Sequence, residues 1–175
     1  MDALPHTNER RRVVSWSDPM EAARAARGRP GLDVLRDMIA GLIPAPPIVE
    51  LMGIRLVSAE PGIVRMALTA AEYLYNPLGT VHGGAIATLL DSVMGCAVHS
   101  TLGAGQGYTT LEIKVNYVRA LTEAVGEVEG EGRVVHAGRR SAVADAKLTD
   151  AAGRLYATAS TTCLVFDVPP AEART

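Results

Sequence analysis

The sequence predicts an α+β fold in which one strongly curved antiparallel β-sheet wraps around one long central helix, with an N-terminal helical extension in front. Three observations carry that expectation. The stretch from Ala85 to about Thr101 is of helix length and apolar nearly all round, which marks a helix enclosed by the rest of the fold. The segments on either side of it alternate with the period of strands. Several of those strands follow the helix in direct succession, so a single sheet must cover a single helix, and only a curved one can.

The 175 residues suffice for one domain with its own core. We divide them into an extension (1–45), a main domain (46–168) and a tail expected to fray (169–175). The extension is rich in Arg, Pro and Ala. Asp18 before Pro19 reads as an N-cap with proline at the first helical position, and Ala22, Ala23, Ala25 and Ala26 favour a short helix ending at Gly28. Leu32, Leu35, Met38, Ile39 and Leu42 predict a second helix, which Pro44, Pro46 and Pro47 break. The expected role of the extension is a packing arm or a clasp between subunits.

From Val49 the pattern is that of a strand, with Ile54 and Leu56, then Ile63, Val64, Met66 and Leu68 around a turn at Pro61-Gly62. After the helix, GAGQG at 103–107 reads as a loop. Thr109, Leu111, Ile113, Val115 and Tyr117 then share one strand face, and Thr110, Glu112, Lys114 and Asn116 the other. Further strands are expected over 125–136, 139–149 and 155–166.

Aromatic residues supply only 4% of the chain against 48% for apolar residues together, so Ala, Val, Leu and Ile must fill the interior. A net charge of -2 and a pI near 6.1 argue against a general nucleic-acid binder. The two cysteines, Cys96 and Cys163, are far apart and lack CxxC spacing. Neither a disulfide framework nor a zinc site is expected, and a reducing, cytoplasmic compartment fits. The N-terminal MDALPHTNERRRVV has a charged run in place of a signal's apolar core. No window approaches the roughly 18 unbroken apolar residues of a membrane span. There is no GxSxG elbow, Walker A loop, HExxH or carboxylate–histidine cluster, so no metal or cofactor is expected.

Chemistry concentrates in NPLGTVHGGAIATLLD, residues 76–91. Gly83 and Gly84 stand where a turn opens the helix, so unpaired N–H groups and the positive end of the helix dipole converge there. Without a Cβ, Gly83 lets a substrate carbonyl approach its backbone as in an oxyanion hole. Asp91 lies two turns further on, among Leu89, Leu90, Val93 and Met94. A carboxylate in such surroundings is costly unless paired. Either it bonds a nearby hydroxyl, Ser92 or Thr88, or it is a general base that activates water.

Three roles stay open for His82: polarising the substrate, holding Asp91 of another chain, or capping the helix entrance. Asn76 can donate its amide to a carbonyl, or simply make a turn before Pro77. His6, His99 and His136 show no partner spacing and receive no role. At a rise of about 1.5 Å per residue, Gly83 and Asp91 are about 12 Å apart, too far to act on one carbon. Asp91 of one subunit should therefore oppose His82 and Gly83 of another.

Together, Asn76, the GTVHGG run and the Asp91 that closes ATLLD resemble the hot-dog thioesterase superfamily, in particular the phenylacetic-acid-pathway (PaaI-like) group. TTLEIKVNYVRA and DAAGRLYATASTTCLV support the resemblance, which spans about residues 46–166. It implies a hot-dog fold, homodimers that often pair into homotetramers as dimers of dimers, and metal-free hydrolysis of acyl-coenzyme A. Asp91 would match the base or nucleophile, Gly83 the backbone donor to the thioester oxygen, Asn76 and His82 its neighbours, and Thr110 a hydroxyl that places the water. Alternation points Thr110 away from Leu111, toward a partner chain. Arg139, Arg140 and Lys114 are candidate partners for the coenzyme A phosphates. Two rival readings are hydration or dehydration of an acyl thioester, and acyl-coenzyme A sensing without turnover.

Overall fold

The computed structural model describes residues 9–169. His6 and most of the C-terminal tail lie outside them. The elements run α1 (Pro19–Ala26), α2 (Gly31–Ile39), α3 (Pro47–Met52), β1 (Ile54–Glu60), β2 (Ile63–Thr69), α4 (Gly83–His99), β3 (Gln106–Tyr117), β4 (Glu127–Ala137), β5 (Ser141–Asp150) and β6 (Leu155–Asp167). The six strands form one antiparallel sheet in the order β1-β2-β4-β5-β6-β3. This is the hot-dog arrangement that the sequence predicts, with α4 packed against the sheet.

The core is the contact between them. Leu89, Leu90, Val93, Met94, Ala97 and Val98 of α4 are fully enclosed with Val64, Leu68, Val128, Ala144, Leu148 and Ala157 of the sheet. Each enclosed Leu or Val contributes about 1.5–3 kcal/mol relative to exposure. Small residues on the central strands let the helix come close. At Gly132 of β4 an added Cβ would lie 2.5 Å from the Val93 carbonyl oxygen.

Turn chemistry fixes the hairpins. Gly62 adopts φ 76° between β1 and β2, and the Asp150 carboxylate accepts from the Ala152 and Arg154 N–H groups between β5 and β6. The first is the turn expected at Pro61-Gly62, and the second is an Asx-type turn closed by the Asp150 side chain.

Four sequence expectations need correction. The segment from Val49 begins as α3 and not as a strand: Pro46 and Pro47 occupy its N-cap and first turn, and Gly53 closes it at φ 71°. Prolines that break one helix here start the next. The glycine-rich stretch at 103–107 is only partly loop, since β3 begins at Gln106.

The third correction concerns β3, which has a bulge: Thr110 pairs with Cys163 and Glu112 with Thr162, leaving Leu111 without a counterpart. One extra residue reverses the alternation beyond it. Tyr108 and Thr110 therefore share the inner face with Ile113 and Val115, while Leu111 is 61% exposed. The fourth is α4, which is not enclosed on every side. Thr88, Asp91, Ser92, Cys96 and His99 are only half-buried, and their spacing of three to four residues puts them on one face.

The extension is packed onto this body. Val34, Leu35 and Ile43 are buried, and Leu35 belongs to the core.

Candidate active site

Asp91 sits on the open face of α4, half-buried. Its Oδ1 accepts a hydrogen bond from the Thr110 hydroxyl at 2.9 Å. The nearer hydroxyls on its own helix do not serve it. Thr88 donates to the Gly84 carbonyl and Ser92 to the Thr88 carbonyl, each one turn back. Such back-bonding is the ordinary satisfaction of a mid-helix hydroxyl. Among the described residues Thr110 is the one donor that reaches the carboxylate, and it does so because of the bulge at Leu111.

Asp91 and Thr110 form part of the wall of a cavity of about 680 Å³. Leu35, Met38, Ile39, Ile48, Val49 and Leu56 make much of the rest apolar. That combination, a mostly apolar concavity with a few converging polar groups, is the usual form of a small-molecule site. Cys96 also lines it, but burial and then the Asp91 charge push its thiol up to about 12. A thiol held protonated is a poor nucleophile. Burial likewise raises the Tyr108 phenol and lowers the His99 imidazole, so both are uncharged near neutral pH.

The start of α4 lies in a different place. A separate cleft of about 410 Å³ contains Asn76, Thr80, Gly83, Ile86 and Tyr117. Here His82 is the N-cap: its Nδ1 accepts from the Gly84 N–H at 2.8 Å. Acceptance at Nδ1 places the ring proton on Nε2. Asn76 is occupied in its own loop, donating to the Thr80 hydroxyl at 3.0 Å and accepting from the Leu78 N–H at 2.9 Å. Among the described residues nothing accepts from the Gly83 N–H. That N–H sits at the positive end of a 17-residue helix, where an anionic oxygen is favoured.

Of the five candidate site residues, the chain thus brings Asp91 and Thr110 together in one cavity, and Gly83, His82 and Asn76 together at the helix start. It does not join the two groups. Sequence reasoning overlooked Tyr117, whose hydroxyl donates to the Gly83 carbonyl at 2.8 Å and steadies the turn. His99, given no role, lines the cavity. The candidate phosphate partners do not converge either. Arg139 and Arg140 flank Gln106 at the start of β3, while Lys114 lies eight residues further along it, about 26 Å away at strand rise.

Comparison with known proteins follows the same lines. A family model described as the thioesterase superfamily matches residues 78–157. The conserved protein PA5202 of Pseudomonas aeruginosa is 38% identical, covers 70% of this chain and 95% of its own, and superposes with a TM-score of 0.66. The protein smu.793 of Streptococcus mutans UA159, solved bound to acetyl CoA, is 30% identical across 67% of this chain and 91% of its own, with a TM-score of 0.60. The 1,4-dihydroxy-2-naphthoyl-CoA hydrolase of Listeria monocytogenes is 26% identical over 106 residues, 61% of this chain and 85% of that one. The chain belongs to the thioesterase superfamily. Among the described residues no helix is long and apolar enough to cross a membrane.

Proposed function

We propose that the protein hydrolyses an acyl-coenzyme A thioester to the free acid and coenzyme A, at a site shared by two copies of the chain. The observation that carries this reading is the Asp91 carboxylate, anchored by Thr110 in the wall of a large apolar cavity. A superfamily of thioester hydrolases supplies the reaction class. Within it, the stretch from Asn76 to Asp91 favours the phenylacetic-acid-pathway group.

In this reading water lies against Asp91 and Thr110. Asp91 takes a proton as the water oxygen adds to the carbonyl carbon, and the displaced electron pair settles on the carbonyl oxygen. The N–H of the partner subunit's Gly83 stabilises that oxyanion. Collapse breaks the carbon–sulfur bond, and the proton held by Asp91 passes to the departing sulfur. Because Thr110 donates to the carboxylate, its own lone pairs remain to accept from the water. That favours a base over a direct attack by Asp91. Asn76, His82 and Tyr117 position the helix start and do not touch the reacting atoms.

Two features support a dimer. Gly83 and Asp91 face separate recesses within one chain. Strand β3 is a 12-residue sheet edge beside exposed Leu111, Tyr117 and Val118, a surface that chains rarely leave open. A second copy pairing there about a two-fold axis covers it on both chains at once, and two such dimers can pair as a tetramer. Two free thiols and an acyl-coenzyme A substrate fit the cytoplasm.

A thiol-trapping assay over aromatic and aliphatic acyl-coenzyme A thioesters tests the reaction. The expected result is stoichiometric release of free coenzyme A and acid from at least one of them. Products that retain the thioester would instead indicate hydration chemistry, and no turnover of any member would remove the enzyme reading.

A further inference from the structure

Helices α2 and α3, which precede the family-matched region, also form a wall of the cavity holding Asp91. Met38 and Ile39 of α2, and Ile48 and Val49 of α3, line it opposite α4. These residues precede the matched span of 78–157. Across from it run Asp91, Gly95, Cys96 and His99 along the open face of α4.

A loose arm could not define a pocket, but this one is fastened at both helices. At Gly31, the first residue of α2, a Cβ would lie 1.9 Å from the His99 carbonyl oxygen, and the Gly31 N–H donates to the Leu102 carbonyl at 3.0 Å. The helix therefore begins in backbone contact with the end of α4, an approach that only glycine permits. Buried Val34 and Leu35 hold the turn that follows. At α3, the Arg12 guanidinium donates to the Leu51 and Glu50 carbonyls and stacks 3.8 Å above the Tyr73 ring. The wall is thus preformed, which lowers the ordering cost of binding.

The cavity lining is mostly apolar, with Glu50 and Arg55 at its α3–β1 side and Asp91, Ser92, Thr110 and His99 among its polar residues. Asp91, Ser92 and Thr110 cluster at one end. From Asp91 to His99 the path along α4 is eight residues, about 12 Å at helical rise, and is flanked by apolar side chains from the extension. Midway along it the Tyr108 ring packs against Gly95, where a Cβ would lie 2.8 Å from the Tyr108 hydroxyl oxygen. At the far end the ring of His99 is uncharged through burial, and its Nδ1 is enclosed without a partner.

We propose that α2 and α3 form the acyl-selectivity wall of this enzyme. The acyl group lies along α4 from Asp91 toward His99, and the substrate class is a thioester of an extended apolar acid. At about 12 Å, the path accommodates an aliphatic chain of roughly eight to ten carbons or a two-ring aryl group, and an acetyl group leaves most of it unfilled. This inference rests on the hydrolase reading for its turnover test but not for its binding test.

The test compares decanoyl- with acetyl-coenzyme A in the wild type, Ile48→Trp and Leu42→Trp. Ile48 is 46% exposed, so the larger ring can be accommodated with the fold intact; Leu42, 74% exposed between α2 and α3, does not line the cavity. Wild type should favour the long acyl group in kcat/KM by at least about tenfold, since several methylenes are removed from water. Ile48→Trp should cut that long-to-short ratio by about tenfold or more, and Leu42→Trp should leave it unchanged. Calorimetric titration with free decanoate should show the same order of affinity. A wild type that prefers acetyl, or an Ile48→Trp protein of wild-type thermal midpoint with an unaltered ratio and unaltered decanoate binding, would overturn the proposal. If no thioester turns over but decanoate binds and Ile48→Trp weakens it, the hydrolase reading fails while the wall stands.

Discussion

Asp91→Asn is expected to lower kcat about a thousandfold with substrate binding nearly unchanged, as read by thiol release and by titration with a non-hydrolysable thioester analogue. Asparagine keeps the size of the side chain, and its oxygen can still accept from Thr110, so the bond at 2.9 Å has a successor. What it lacks is the ability to take a proton from water. General bases contribute about 10²- to 10⁴-fold, and a thousandfold loss corresponds to about 4 kcal/mol of transition-state stabilisation. A fall in kcat without a rise in KM is the signature of a group that acts only in the transition state. The one thiol in the cavity wall, Cys96, is held protonated and so is a poor substitute nucleophile. Retention of near wild-type kcat would move the chemistry elsewhere, and a sensing module would show no turnover to lose.

Gly132→Ala should be the most destabilising small substitution in the sheet, by about 3 kcal/mol. The new methyl would lie 2.5 Å from the Val93 carbonyl oxygen, 2.7 Å from its carbon and 3.0 Å from the Met94 nitrogen. All three are backbone atoms in the middle of α4, which cannot swing aside as a side chain can. The helix must lift from the sheet or the strand must bend. Gly130→Ala, one inward position earlier on the same strand, is the control. Its methyl would meet only the Leu89 and Val93 side chains at 3.5 Å or more, an ordinary contact, so its cost should stay below about 1 kcal/mol. Urea unfolding with unchanged m-values separates the two. Equal losses would mean that the close approach of helix to strand does not control this part of the core.

Much of this fold can be read from residue pattern alone. The unbroken apolarity of Leu89, Leu90, Val93 and Met94, set between alternating segments, requires a sheet that curves around a helix. The glycines that open α4 and the carboxylate two turns on were likewise conspicuous. The misreadings each have a local cause. A period-two count cannot see a bulge, so alternation groups Thr110 with Glu112 and points it toward a partner chain, whereas one surplus residue, Leu111, turns it inward. Proline ends a helix or begins one, and Pro46-Pro47 does both within a few residues.

The open face of α4 was legible and missed. Thr88, Asp91, Ser92, Cys96 and His99 recur at helical spacing, but alanine and cysteine between and among them made the helix look uniformly greasy. The cavity wall from the extension was not legible. It depends on α2 meeting residues some 60 positions away, and no local pattern encodes such a contact.

Mixing two inactive variants tests the shared site most directly. Asp91→Asn removes the base, and Gly83→Pro removes the backbone donor at the first helical position, where proline suits the backbone and the Tyr117 ring, 3.1 Å from the new Cβ, must shift by a few tenths of an ångström. Each alone should be nearly inactive with a thermal midpoint close to wild type. After unfolding and refolding together in equal amounts, half the dimers are mixed and each mixed dimer regains one intact site of two, so about a quarter of wild-type activity should return. A mixture no more active than either parent, with mixed dimers shown to have formed, would contradict a site built across two chains.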